Sequence, residues 1–342
     1  MHSGRKQEHL RICIENDTRS GTSTGLDRYR LVHCALPELA LDQVHTATTF
    51  LGHKLDAPLL IAAMTGGTDE AHRINLNLAR AAQALGLAMG LGSQRAGIEE
   101  PALLKSYHVR DVAPDILLLA NLGAVQLNYG YGAAECRRAV QSVGADALVL
   151  HLNPLQEALQ PEGNTDFRHL LARIAEVCSA LACPVIVKEV GWGISPLVAR
   201  GLIAAGVAGL DVSGAGGTSW SKVEGQRSAT SSTAAVAATV AAAFDDWGLP
   251  TAVALDQVRK ACPAIPLIAS GGIATGVDVA KCLALGADLV GMAHGLLSAA
   301  LQSTEAVQGR LEIIIRQLEI AVFCTGSRDI ASLDHSRLAS WS

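Results

Sequence analysis

Val143-Gly144-Ala145-Asp146-Ala147-Leu148-Val149-Leu150-His151-Leu152 decides the fold. A glycine behind an apolar helix takes the left-handed cap conformation that other residues resist, and the apolar run after it starts a strand. The same order recurs in Ala205-Gly206-Val207-Ala208 and Leu285-Gly286-Ala287-Asp288, each ahead of another apolar run. Outward from these, β-branched or leucine-rich runs occupy residues 58–63, 87–91, 116–121, 147–152, 185–189, 209–213, 267–270 and 289–293. Continuous runs of this length fit strands covered on both faces, as in a parallel sheet. Between them apolar residues recur at helical spacing, as in Phe167, Leu170, Leu171, Ile174, Val177, Cys178 and Leu181, and again in Ala71, Ile74, Leu78, Ala82 and Leu85. Eight strands alternating with helices, with no GxGxxG at the first turn, predict an α/β chain closed into a (β/α)8 TIM barrel rather than a doubly wound sheet.

Two segments break the spacing. Residues 1–55 form an N-terminal extension with a basic start. A long loop, residues 214–266, separates strands six and seven; its polar half, 218–232, is expected to be a mobile lid. A helix over about 305–323 belongs to a C-terminal extension, 301–342, packed on the barrel or on a second subunit. The chain is expected to be one domain, 1–342, with the barrel over 56–300.

Of 342 residues, 49% are hydrophobic, 17% charged and 4% aromatic, with 33 glycines and a net charge of −5. That balance excludes a disordered chain, and the lack of positive charge argues against nucleic-acid partners. The start, MHSGRKQEHL, has no apolar core of a signal peptide, and no run of about 18 apolar residues could span a bilayer. A cytoplasmic protein without membrane partners is expected. The eight cysteines are scattered with no C-x-x-C pair, and read as small buried hydrophobes.

In a barrel the groups that do chemistry lie at the carboxyl ends of strands. Here those ends carry Met64-Thr65-Gly66-Gly67, Gly92-Ser93-Gln94-Arg95, Asn121-Leu122-Gly123, His151-Leu152-Asn153-Pro154-Leu155-Gln156-Glu157, Lys188-Glu189, Ser213-Gly214-Ala215-Gly216-Gly217-Thr218, Ser270-Gly271-Gly272 and Ala293-His294. Each alone could be a turn, but polar groups at all eight ends point to a site. The last two sit where barrels often bind phosphate through backbone N–H groups, glycine allowing close approach. Lys188 interrupts an apolar strand, so its ammonium faces the barrel mouth and needs an anionic partner. Glu189 is a poor candidate, since neighbours in a strand face opposite ways. An anionic ligand, such as the N1–C2=O edge of a reduced flavin, meets the need.

Together these motifs, with Arg5-Lys6-x-x-His9 and Lys188-Glu189-x-Gly191-x-Gly193, resemble the type 2 (FMN-dependent) isopentenyl-diphosphate delta-isomerases, over nearly the whole chain. The resemblance implies FMN across the barrel mouth. Ala63, Met64, Thr65, Ser93, Asn121, Lys188, Ser213 and Thr218 would contact its ring and ribityl chain. Gly272, Ile273, Ala274, Ala293 and His294 would hold its phosphate; related flavin barrels often carry Arg where His294 stands. The implied substrate is a small allylic or homoallylic diphosphate, gripped by Arg5, Lys6 and His9 with Ser93, Gln94, Arg95 and Gln156. Read from spacing alone, Arg5 and Lys6 are a solvated basic terminus. Glu157 would hold Mg²⁺, a hard cation that keeps several waters, or stand as a helix-start glutamate. The implied reaction moves a double bond by adding one proton and removing another, with no net redox change. NADPH serves only to reduce the flavin, Lys188 stabilises the anionic reduced state, Gln156 orients substrate or assists proton transfer, and His151 and Asn153 support them. A homo-oligomer is expected.

Two rivals stand beside this reading. A flavin-dependent 2-hydroxy-acid oxidase needs a His base with Arg partners after a late strand, and Gly214-Ala215-Gly216-Gly217-Thr218-Ser219-Trp220 holds neither; nor does it hold the nucleophilic Cys of a nucleotide dehydrogenase. A catalytically idle flavin-binding barrel is separated from an enzyme only by turnover.

Overall fold

In the computed structural model, which describes residues 2–227 and 234–340, eight parallel strands close on themselves. They are β1 (Leu59–Ile61), β2 (Ala88–Gly90), β3 (Leu118–Gly123), β4 (Ala147–Leu152), β5 (Val185–Glu189), β6 (Gly209–Asp211), β7 (Leu267–Ala269) and β8 (Leu289–Met292). β8 pairs with β1, Val290 opposite Leu59, and completes the ring. Seven fall within the runs read from the sequence; β3 runs two residues beyond its run, to Gly123.

The apolar runs are continuous because each strand feeds two separate cores. Leu60, Ala88, Leu119, Val149, Ile186, Ile268 and Leu289 fill the barrel interior. Their neighbours Leu59, Ile61, Leu118, Ala120, Leu148, Leu150, Val187 and Leu210 pack outward under the helices. A hairpin, Thr48–Phe50 with His53–Leu55, sends Phe50 and Leu55 into the interior core, so part of the N-terminal extension plugs the barrel away from its mouth.

Glycine caps start the strands as their sequence pattern requires, with φ of 62° at Gly144, 87° at Gly206 and 103° at Gly286. Two of them belong to a repeated clamp. Arg110 donates from Nε to Gly144 O at 2.9 Å and from a terminal nitrogen to Asp146 Oδ2 at 2.7 Å, and that oxygen accepts Leu118 N–H at 2.8 Å. Arg259 repeats the device on Gly286 O at 2.7 Å and Asp288 Oδ2 at 2.7 Å, which accepts Leu267 N–H at 2.8 Å. The aspartates of the two Gly-Ala-Asp signatures therefore tie a strand to its neighbour.

The two extensions meet. Tyr29–Leu31 pairs antiparallel with Leu338–Ser340, and the helix Thr304–Cys324, one residue longer at each end than the span read from the sequence, packs on the helices Asp69–Ala84 and Gly276–Ala284. Where the sequence led us to expect a polar loop after Thr218, the chain forms a helix, Trp220–Arg227, and a second follows at Ala234–Ala242; residues 228–232 of the expected lid lie outside the described residues. That first helix escaped notice because the face it buries is polar, carrying Ser221 and Glu224. The described cysteines are all free thiols, and no helix among the described residues is long and apolar enough to cross a membrane.

Candidate active site

The carboxyl ends of the strands surround a cavity of about 470 Å³, within the range of small-molecule sites. Its floor is set by strand register. His151, Lys188 and Asp211 are aligned partners on β4, β5 and β6. Aligned residues of neighbouring parallel strands face the same way, and two residues below them Val149 and Ile186 point into the interior core. All three polar groups therefore face inward.

Each has a defined state. Nδ1 of His151 lies 2.8 Å from Asn121 Oδ1, which as an acceptor fixes Nδ1–H and leaves Nε2 free to accept. Burial, with the positive charges of Lys188 and Lys6, pushes the His151 imidazolium down to about 3, so the ring is neutral at physiological pH. Lys188 Nζ donates to the Glu189 carbonyl. The Glu189 carboxylate turns outward and accepts the N–H groups of Val190, Gly191 and Trp192 at 2.7, 2.7 and 2.5 Å, so it is not the partner of Lys188. Asp211, which the sequence reading did not single out, stands opposite Lys188 on β6, and the Lys188 charge acts on it. Its Oδ1 accepts Ser270 Oγ–H at 2.7 Å and Ser213 N–H at 3.1 Å.

Glycines shape one wall. Gly271 and Gly272 have φ of 104° and 75°, and a Cβ on Gly271 would lie 2.1 Å from Gly214 O, one on Gly272 2.4 Å from Gly216 O. The turns after β6 and β7 thus pack backbone on backbone, latched by Thr251 Oγ1, which donates to Gly271 O at 2.6 Å. Beside them Ala293 and His294 open the helix His294–Gln302, whose first N–H groups lack intrahelical partners. Backbone N–H groups so placed can bind an anionic group. His294 itself is exposed, with Nε2 3.3 Å from Cys13 O.

The opposite wall is a buried polar network. Gln156 Nε2 donates to Glu224 Oε1 at 3.0 Å, and Asn153 Nδ2 donates to Gln156 Oε1 at 3.2 Å and Glu157 Oε1 at 2.9 Å. Asn153 Oδ1 is buried without a hydrogen-bond partner, and it belongs to a residue lining the cavity. Glu157 Oε2 accepts Asn164 N–H at 2.6 Å. Arg95 reaches Glu99 at 2.8 Å and Asn164 Oδ1 at 2.9 Å. From the amino-terminal helix, His9 Nε2 lies 3.0 Å from Glu224 Oε1, and Lys6 Nζ donates to Ser93 O at 2.6 Å. Burial would raise the Glu224 pKa, but hydrogen bonds from His9 and Gln156, with the charges of His9 and Arg227, outweigh it and hold the carboxyl below its ordinary value.

Of the residues singled out from the sequence, Ala63, Met64, Thr65, Ser93, Asn121, Ser213, Thr218, Gly272, Ile273, Ala274, Ala293 and His294 line the cavity, with Lys6, His9, Arg95, His151, Asn153, Gln156, Glu157 and Lys188. Gln94, expected against substrate, is the correction. It is fully buried outside the cavity, donating to Ala139 O and accepting Asn121 N–H, because the turn after β2 points its amide into the barrel wall. The Arg5 side chain lies outside the described residues. Sequence reasoning missed Asp211, Glu224 and Trp220, the last stacked edge-on against His9 at 5.3 Å.

The residues present fit a flavin mononucleotide: an inward amine at one end of the cavity, and at the other two glycine turns packed so closely that a Cβ on Gly271 or Gly272 would collide with neighbouring backbone. No group of three or more His, Cys, Asp or Glu that could hold a metal occurs among the described residues. A cation at Glu157 would therefore complete its shell with substrate oxygens and water.

Residues 12–103 and 156–340 match the family of FMN-dependent dehydrogenases, the class that barrel and glycine turns define. Within it, the chain belongs to the isopentenyl-diphosphate delta-isomerase family. It is 56% identical to the isopentenyl-diphosphate delta-isomerase of a Synechococcus species, over 96% of this chain and 94% of that protein. The enzyme of the same name from Stutzerimonas stutzeri is 54% identical, over 98% and 96%. Among solved structures, a lactate oxidase from Pediococcus acidilactici superposes with a TM-score of 0.70 at 18% identity, covering 100% of this chain and 94% of that one. A mandelate oxidase variant carrying an FMN adduct gives 0.65 at 20%, covering 94% and 93%. These two likenesses concern the fold.

Proposed function

We propose that this chain interconverts isopentenyl and dimethylallyl diphosphate by adding a proton at one carbon and removing one at another, with FMN, Mg²⁺ and NADPH. The observation that carries this reading is the buried Asn153–Gln156–Glu224 wall facing the Lys188 floor, alongside a turn after β6 that holds neither the His base nor the Arg partners a hydroxy-acid oxidase needs. The names of the relatives, at 56% and 54% identity, supply the substrate.

Bound FMN, once reduced by NADPH, would supply an electron-rich ring and an exchangeable proton beside the alkene. Lys188 would lie at the N1 edge and neutralise its charge. Ala63, Met64, Thr65, Ser93, Asn121, Ser213 and Thr218 would hold the ring and ribityl chain, and Gly272 to Ala274, with Ala293 and His294, the phosphate.

Lys6, His9 and Arg95, with Arg5 and Ser93, would take the substrate diphosphate. Arginine offers a bidentate fork and lysine a point charge. Glu157 would hold Mg²⁺ through a carboxylate oxygen, with diphosphate oxygens and water as the other ligands. Gln156 would present its amide to the alkene end, fixed by Glu224, and help hold a proton there. Neutral His151 would accept a hydrogen bond at Nε2, and Asn153 would accept one at Oδ1. Closure of the wall over the substrate would exclude water, which an unactivated alkene and a developing cation both require. Leu171 and Leu197, exposed on neighbouring outer helices, support a homo-oligomer.

The test is anaerobic turnover of isopentenyl diphosphate with FMN, NADPH and Mg²⁺. The reading requires dimethylallyl diphosphate to form, to stop on chelation of Mg²⁺, and to need only catalytic NADPH. A yellow, reducible protein that forms no product would leave the idle flavin barrel as the answer.

A further inference from the structure

We infer that Asp211 is a positioning residue that sets how much positive charge Lys188 presents to the cofactor, and so sets the reduction potential of bound FMN. The inference rests on the flavin reading above and deepens it.

Four observations carry it. Asp211 is the aligned partner of Lys188 on the adjacent strand, and both side chains face inward. The Asp211 carboxyl is buried; burial pushes it above its ordinary value, and the Lys188 charge with the hydrogen bonds from Ser270 and Ser213 pulls it back down. Its Oδ1 is fixed by Ser270 Oγ–H and Ser213 N–H, so it cannot swing to water. Beneath the mouth, Lys188, Asp211 and Asn121 share a void of only about 10 Å³ with Leu60, Val149 and Ile268, room for one water at most. On this side little solvent screens the two charges, although Lys188 also borders the open cavity above.

The remaining neighbours sharpen the point. On the far side of Lys188, His151 is neutral, and the Glu189 carboxyl, pushed up to about 7 by burial, is held by three backbone N–H groups facing the other way. Asp211 is thus the carboxylate within the barrel floor that opposes the Lys188 ammonium. An ionised Asp211 brings the floor close to neutral, whereas without it the floor carries the full positive charge of Lys188. Reduction of FMN to its anionic hydroquinone adds negative charge at the N1 edge. Loss of the Asp211 charge must therefore favour the reduced form.

The experiment is a potentiometric titration of the FMN-loaded enzyme with a reference dye, for the native chain, Asp211→Asn and Asp211→Ser. The serine variant covers the case in which the asparagine one fails to fold. Both variants are expected to tilt the reduced-to-oxidised ratio about tenfold toward reduced FMN, a rise of ~30 mV for a two-electron couple. In the Lys188→Met background the same substitution should move the potential by much less. Asp211 serving only to pack the barrel predicts the opposite pattern: weaker FMN binding with an unchanged or lower potential. A yellow protein with that pattern overturns the inference and leaves the flavin reading standing. A native chain that binds no FMN overturns both.

Discussion

Gln156 Nε2 and Glu224 Oε1 lie 3.0 Å apart and join the short helix after β4, Pro154–Leu159, to the helix after β6, Trp220–Arg227. The same carboxylate has His9 Nε2 at 3.0 Å and, from its own helix, Arg227 Nε at 2.9 Å, so two distant segments meet on one buried acid. Glu224→Ala leaves Gln156 without its anchor and His9 without its neighbouring carboxylate. Misplacing a reacting group by about 1 Å can cost about 100-fold in rate, and a loss of kcat of that order is expected. The bound-flavin absorbance should not change. Full turnover in the variant would detach Glu224 from the reaction.

His151 makes a prediction about pH. Its conjugate acid falls from 6.5 to about 3 on folding, so between those values the unfolded chain binds a proton that the folded one does not. Stability from this group is complete above pH 6.5 and declines as pH falls toward 3, with a slope of up to about 1.4 kcal/mol per pH unit. Urea titrations at pH 7 and pH 5 should show His151→Gln losing less stability on acidification than the native chain. Equal losses would mean that His151 is protonated in the folded state.

The glycine turns offer a binding test. Gly271→Ala places a Cβ 2.1 Å from Gly214 O at a φ of 104°, a conformation costing roughly 1–2 kcal/mol for an L-residue before any clash. FMN affinity should fall at least about tenfold, while riboflavin, which lacks the phosphate, should lose less. Quenching of flavin fluorescence measures both, and equal losses would place the phosphate elsewhere.

The paired clamps should act on stability alone. Arg110→Ala strips hydrogen bonds from Gly144 O and Asp146, and Arg259→Ala does the same at Gly286 O and Asp288. Each is expected to cost about 1–3 kcal/mol. The clamps lie on separate strand pairs and share no partner, so the double variant should be additive within about 0.5 kcal/mol. Urea midpoints give the values, and flavin binding should be retained in conditions where the variants are folded.

The strands were legible because burial on both faces leaves no room for alternation, and Lys188 stood out because a charge inside such a run has no bland explanation. The same argument applied to Gly209-Leu210-Asp211-Val212-Ser213 would have found Asp211, but a single acid near a strand end passes for the beginning of a turn. Glu224 was invisible for a different reason. It sits among Lys222, Gln226 and Arg227, a composition that marks solvent, and what buries it is the polar side chains of Gln156 and His9 from segments far away in the chain. Hydropathy reports oil against water; it is silent where one polar surface closes on another. Gln94 erred the other way, a polar residue beside the mouth whose amide is consumed by Ala139 O and Asn121 N–H.

Phe50 and Leu55 stopper the cylinder at its base. A vessel with one opening is loaded in sequence: whatever rests against Lys188 must enter before whatever lies beneath His9 and Gln156, and must leave after it. Order of arrival is thereby written into the architecture, and a molecule lodged near the rim holds captive the one below.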